Sequence, residues 1–178
     1  ILGYIDIDKP YHVKFGLVLD ENHKKLATRE GRVINAEELI NKIIDLADKV
    51  IKDKNPKLSE KERKEAAKII GIGALKYNDL SQNRHTDIVF DWNKMLSFDG
   101  NSAPYLLYTY VRLKSIMKKS KAGNFEPNFL KEEIELEIIK QLSIFPKIIE
   151  RALEDYQLNI LANYLFKLAG TINNFYER

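Results

Sequence analysis

The helical spacing of apolar residues after position 35 constrains the fold of this 178-residue chain most strongly. Asn35 with Glu38, and Ser59 with Glu62, have the spacing of capping boxes, and an apolar face with a period near 3.6 follows each pair. From Ser102 onward the same period predicts further helices connected by short loops. Antiparallel helices joined in this way pack as bundles. The sequence therefore predicts a mainly α fold.

Residues 1–20 show the two-residue period of a half-buried strand instead. A polar loop follows, and then a segment from Lys25 to Gly31 that contains Thr28 and Arg29. Two cations, a hydroxyl and free backbone N–H groups after a strand suit a phosphate group. An ordinary polar hairpin is nevertheless the more frequent structure for such a pattern.

A tight turn and a helix start lie near the middle of the chain. Asp99-Gly100 is a turn dipeptide, because glycine adopts positive φ without steric cost. Ser102 can cap the next helix, and Pro104 is tolerated only in the first turn of a helix. We therefore predict a helix that begins directly after the turn.

Tyr105, Tyr108 and Arg112 fall at positions i, i+3 and i+7 of that helix and so share one face. Aromatic rings beside cations suit a single-stranded nucleic acid, whose bases stack and whose phosphates pair with positive charge. The alternative is a tyrosine stripe that faces the core and continues into a solvated basic end. Composition alone favours that alternative.

Composition excludes several classes of site without selecting a function. The chain has no cysteine, which rules out disulfides and thiolate metal sites, and its three histidines lack metal-ligand spacing, so no metal site is expected. A formal charge of +3 permits an RNA partner but does not argue for one. No apolar run reaches transmembrane length. Because the chain begins at Ile1 within a strand-like pattern, we expect a fragment of a longer protein.

Several segments together resemble the class I arginyl-tRNA synthetases. The resemblance is carried by Leu80-Ser81-Gln82-Asn83-Arg84, by Asp91-Trp92-Asn93-Lys94-Met95-Leu96, by Phe98 to Arg112, and by His12 to Leu19 with the loop after it. It implies that residues 1–34 end a catalytic domain, that 35–97 are stem helices, and that 98–178 are a truncated, all-helical anticodon-binding domain.

The same resemblance implies two sets of binding residues. In the signature loop, Lys25, Thr28, Arg29 and Gly31 match the positions that stabilise the triphosphate of ATP. The residues that match the family's contacts with the tRNA anticodon loop are Asp99, Gly100, Asn101, Ser102, Tyr105, Tyr108, Arg112 and Tyr176. For Tyr176 a place in the core is an equal alternative, because it follows the apolar phase of its helix.

The resemblance further implies a parent enzyme that attaches arginine to its tRNA with ATP and Mg²⁺, as a cytoplasmic monomer without a membrane role. No complete catalytic set can be argued from the spacing of residues here, so this piece alone is expected to be inactive. Its own contribution would be recognition of the anticodon loop and the ATP-stabilising loop. The alternative function is a helical adaptor that binds protein partners and has no RNA role.

Overall fold

A computed structural model describes residues 12–20, 23–25, 35–89, 91–119, 130 and 132–177. The elements are, in chain order, β1 (Val18–Leu19), α1 (Ala36–Lys54), α2 (Glu60–Ser81), β2 (Ile88–Val89), α3 (Trp92–Met95), α4 (Ala103–Lys119), α5 (Glu133–Ser143), α6 (Phe145–Glu154) and α7 (Leu158–Tyr176). The predicted mainly α fold is confirmed.

Local side-chain bonds start the first two helices. The Ser59 hydroxyl accepts from the N–H of Glu62 at 3.3 Å, and the Glu62 carboxylate accepts from the N–H of Ser59 at 3.2 Å, which confirms this capping box. Hydrogen bonds from the hydroxyl and then the backbone of Ser59 lower the pKa of Glu62. Asn35 also caps α1, but its Oδ1 accepts from the N–H of Glu37 at 3.3 Å, one residue before the predicted Glu38.

Helices α1 and α2 form the best-packed part of the chain. Ile43 on α1 and Ala67 on α2 are fully buried in their shared core. A Cβ added to Gly71 would lie 3.1 Å from the carbonyl oxygen of Ile43 and 3.1 Å from the Cα of Ile44. The glycine therefore allows the two backbones to approach. Gly73 has open space within 4 Å and does not serve that purpose.

Strands β1 and β2 make a small parallel pair, with Val18 opposite Ile88 and Leu19 opposite Val89. Strand structure in residues 12–20 is limited to β1, and the aromatic ring of Phe15 is exposed. The predicted alternation thus gives a paired strand only where β2 supplies a partner. Residues 1–11 lie outside the described part of the chain.

The loop before β2 also binds the C-terminal helices. The guanidinium of Arg84 donates to the carbonyl oxygen of Asp155 at 2.8 Å and to that of Tyr156. Both carbonyls lie where α6 ends, and Tyr156 has a positive φ of 51°. The main-chain carbonyl of Arg84 accepts from the N–H of Gly16 at 2.6 Å. One residue thereby connects the segment before β1 to the corner between α6 and α7.

Helix α7 lies against α2, α4, α5 and α6. The Tyr164 hydroxyl donates to the carbonyl oxygen of Gln141 at 3.0 Å, and the Gln141 side-chain amide donates to the Thr171 hydroxyl at 2.8 Å. Helix α5 begins at Glu133, and Leu130 and Glu132 before it are not helical. The apolar spacing after position 127 predicts a helix that starts near Pro127. That residue lies outside the described part of the chain, but Leu130 is not helical, so the predicted continuous helix is wrong.

No helix within the described ranges is both long enough and apolar enough to cross a membrane.

We predict opposite effects for two alanine substitutions in α2. Gly73→Ala is expected to raise the free energy of unfolding by about 0.5–1 kcal/mol, because alanine is the better helix former and has room. Gly71→Ala is expected to lower it, because backbone atoms of α1 would have to move. Urea denaturation of both variants measures the difference. Equal gains in both would contradict the close approach of α1 and α2 at Gly71.

Candidate nucleic-acid interface

A groove of about 640 Å³ lies where α4, α7 and the end of α1 meet the turn before α4. Four residues that the sequence analysis singled out line it together: Asp99, Tyr105, Tyr108 and Arg112. The shared face predicted for the last three is therefore present. This face is directed into an open groove, and the bundle core does not enclose it.

The turn that leads into α4 is built by hydroxyl groups. Gly100 has a φ of 94°, the left-handed conformation that the Asp99-Gly100 dipeptide predicts. The Ser97 hydroxyl accepts from the N–H of Asp99 at 3.1 Å. The Ser102 hydroxyl donates to the Ser97 carbonyl and accepts from the N–H of Tyr105 at 3.3 Å. Ser102 is only 3% exposed, so its side chain shapes the turn.

Asn101 connects this turn to two other helices. The Tyr77 hydroxyl donates to Asn101 Oδ1 at 2.6 Å and lies 3.1 Å from a second acceptor, the carbonyl oxygen of Ala162. Asn101 Nδ2 in turn donates to Asn163 Oδ1 at 3.1 Å. Burial raises the pKa of Tyr77 to about 12. The position of the turn relative to α2 and α7 is fixed by these bonds.

Arg112 holds together two tyrosine rings, of which Tyr108 lines the groove and Tyr176 lies beside it without lining it. Its Cζ lies 4.6 Å from the ring centroid of Tyr108 and 4.3 Å from that of Tyr176. It also donates to the Tyr108 hydroxyl and, at 3.1 Å, to Asn173 Oδ1. A longer ion pair of 3.6 Å reaches Glu177. With 16% of its side chain exposed, Arg112 directs its donors mainly to protein partners.

The two rings on Arg112 remain accessible to solvent. Tyr108 is 47% exposed and Tyr176 is 49% exposed, whereas Tyr105 is partly buried with its ring 5.5 Å from that of Phe166. Tyr176 therefore does not belong to the core, which removes the alternative left open by its apolar phase. The arrangement offers two aromatic surfaces that are oriented by a shared cation.

Sequence reasoning missed part of this groove. Helix α7 and its C-terminal cap contribute Gly170, Asn173, Asn174 and Glu177. Lys54 and Phe98 also line the groove and were not predicted as site residues. The α7 set has the spacing i, i+3, i+4 and i+7, so a small and polar stripe on an otherwise apolar helix could have revealed it. No local pattern reveals Lys54, because its place depends on how α1 packs against the rest of the chain.

The candidate ATP loop is described only at its start. The Asp20 carboxylate accepts from the N–H of Lys24 at 2.8 Å, and His23 has a positive φ of 60° within this tight turn. Lys25 forms an antiparallel bridge with Leu19 and is exposed. Thr28, Arg29 and Gly31 lie outside the described residues.

Comparison with known families divides the chain into two matched regions. Residues 2–92 match the family described as tRNA synthetases class I (R), catalytic domain. The chain belongs to the class I (R) tRNA synthetases. Residues 106–178 of this synthetase chain match the DALR anticodon binding domain. The predicted divisions after residues 34 and 97 stay predictions, because these matches do not test them.

Individual relatives agree with this synthetase assignment. The chain is 41% identical to an arginine–tRNA ligase of Fusobacterium nucleatum and 45% identical to one of Clostridium kluyveri, with 99% of this chain covered in each case. It spans 32% of the length of either relative. A helical adaptor without an RNA role is not supported by these relatives.

Solved structures show the same fold. The crystal structure of arginyl-tRNA synthetase from Plasmodium falciparum matches with a TM-score of 0.77 and 26% identity, over 93% of this chain and 28% of that one. The arginyl-tRNA synthetase of Thermus thermophilus matches with a TM-score of 0.79 and 24% identity, over 90% of this chain and 26% of that one. The synthetase chain described here corresponds to about a quarter of each.

We predict that Tyr77→Phe lowers the free energy of unfolding by about 1–2 kcal/mol at neutral pH, because Asn101 Oδ1 loses its donor. The folded pKa of Tyr77 is raised, so this contribution is fully present below pH 10 and is lost as pH rises towards about 12. Urea denaturation at several pH values should show the gap between wild type and variant closing over that range.

The exposed Tyr110 provides the matched control for that measurement, since Tyr110→Phe is expected to stay within about 0.5 kcal/mol of wild type. A gap between wild type and Tyr77→Phe that persists unchanged at high pH would contradict the assigned role of the Tyr77 hydroxyl.

Proposed function

We propose that the groove binds the anticodon loop of a tRNA, with Tyr108 and Tyr176 as stacking surfaces for unpaired bases. The observation that carries this proposal is the pair of half-exposed rings on the Arg112 guanidinium. Base–aromatic stacking contributes about 1–3 kcal/mol per base, and it requires ring faces that water can leave and a base can cover. The match of residues 106–178 to an anticodon-binding family supports the same function.

The residues of the candidate site divide into contact and positioning roles. Asp99, Gly100 and Tyr105 would contact the RNA from the turn and the start of α4. Arg112 would hold the two stacking rings in place, because its donors already have protein partners. The side chains of Asn101 and Ser102 would act through the turn that they stabilise.

We propose further that the parent protein is an arginine–tRNA ligase that uses ATP, arginine and tRNA, and that it works as a cytoplasmic monomer. Lys25, Thr28, Arg29 and Gly31 would stabilise the triphosphate of ATP. Mg²⁺ would accompany ATP, but no cluster of three metal-binding side chains occurs among the residues that the structure describes, so we assign none to it. This chain alone would bind tRNA without attaching arginine to it.

We predict that Tyr108→Ala and Tyr176→Ala each weaken tRNA binding by about 5- to 150-fold, the equivalent of about 1–3 kcal/mol for a lost stack. Titration of the chain with labelled arginine tRNA measures the loss, and a transcript with an altered anticodon loop should already bind weakly. Circular dichroism melts would verify that each variant folds.

Tyr110→Ala is the matched control, because Tyr110 belongs to the same helix as Tyr108 and is 56% exposed, but it neither lines the groove nor has its ring on the Arg112 guanidinium. It should bind tRNA as tightly as wild type. If all three variants retain equal affinity, or if the altered transcript binds as tightly as the normal one, the anticodon assignment fails.

A further inference from the structure

We infer that Lys54, the last residue of α1, contacts a backbone phosphate of the RNA that occupies the groove. This inference rests on the proposed anticodon-loop function and deepens it. Lys54 belongs to the region that matches the catalytic-domain family, whereas the stacking rings belong to the region that matches the anticodon-binding family. The RNA site would therefore be built from both parts of the chain.

The position of Lys54 is fixed by an aromatic neighbour. Its Nζ lies 5.1 Å from the ring centroid of Phe98, and both residues line the groove beside Asp99. A cation over an aromatic face is attracted by the ring quadrupole while its N–H groups stay available for other acceptors. The side chain of Lys54 is exposed at this place, so the ammonium is held near the groove and still faces solvent.

A phosphate that enters this groove would need a free cation, because carboxylates also line the groove. Asp99 and Glu177 bring two carboxylates to the groove; Glu177 is paired with Arg112 at 3.6 Å, and Asp99 would repel a phosphate. Arg112 is largely buried and gives its donors to Tyr108 and Asn173. No carboxylate of the described residues lies within 4.0 Å of the Lys54 ammonium. Among the described lining residues, Lys54 is thus the cation that can neutralise a phosphate.

A purely structural role for Lys54 would be to stabilise the C-terminus of α1 through the helix dipole. Lys52 lies in the same last turn and is also exposed, but it does not line the groove. The two lysines therefore share the dipole effect and differ in their access to the RNA. Comparing glutamine variants of both separates the two roles.

The test compares Lys54→Gln, Lys52→Gln and Tyr108→Ala in titrations of the chain with arginine tRNA over a series of salt concentrations. Lys54→Gln is expected to weaken binding about three- to tenfold at low salt and to reduce the slope of log affinity against log salt by about 0.7, the value for one phosphate on a single strand. The loss should be the same for transcripts with the normal and the altered anticodon. Lys52→Gln should match wild type in both affinity and slope.

The outcomes separate the two hypotheses. If Tyr108→Ala weakens binding while Lys54→Gln behaves like Lys52→Gln, the phosphate contact is wrong and the anticodon assignment stands. If Lys54→Gln weakens binding without any change in the salt slope, the phosphate contact is also wrong. If neither Tyr108→Ala nor Lys54→Gln affects binding, both proposals fail.

Discussion

The need to pair buried polar groups fixes the place of helix α7, and much of the C-terminal structure depends on that place. Asn173 is buried, and its amide donates to the Thr109 hydroxyl at 2.8 Å while its Oδ1 accepts from Arg112. Gln141 is buried on α5 and donates to Thr171. A buried polar group without a partner costs about 1–3 kcal/mol, so a shift of α7 by one residue would be penalised at several points together.

The position of α7 along its own axis also determines the shape of the candidate interface. When Asn173 meets Arg112, Tyr176 lies one helical turn further along α7 and reaches the same guanidinium. Gly170 lies one turn before Asn173, where a Cβ would be 3.7 Å from the Tyr105 hydroxyl. The bonds that orient the helix thus also bring the ring of Tyr108 on α4 and that of Tyr176 on α7 to one guanidinium. The bonds of Asn173 to Thr109 and Arg112 therefore stabilise the core and also position the candidate site.

The sequence predicts what depends on neighbours along the chain. The Ser59–Glu62 cap, the turn at Gly100 and the shared face of Tyr105, Tyr108 and Arg112 all follow from local spacing, and each is present. Local reasoning fails where a distant partner decides the outcome. It leaves Tyr176 undecided between core and surface, because its cation comes from another helix.

Two misses have the same physical origin. Lys54 and Phe98 meet at the groove because the end of α1 lies close to the turn before α4. The spacing of residues along the sequence does not predict that contact. The apolar period predicts too early a start for α5, because it does not show that the Glu132 N–H is satisfied by the Glu135 carboxylate at 2.9 Å. The resemblance to a synthetase family supplies the candidate binding residues that spacing alone cannot select.

Arg84 fixes the distance between the first strand pair and the C-terminal helices. Its two bonds to the end of α6 and its carbonyl bond to Gly16 join the first strand pair to the C-terminal helices across 71 positions of sequence. The turn at Asp20 follows β1 directly, so Arg84 also fixes the distance between Lys25 and the rings of Tyr108 and Tyr176. A chain that loses the Arg84 guanidinium would lose both side-chain bonds that connect the segment before β1 to the end of α6.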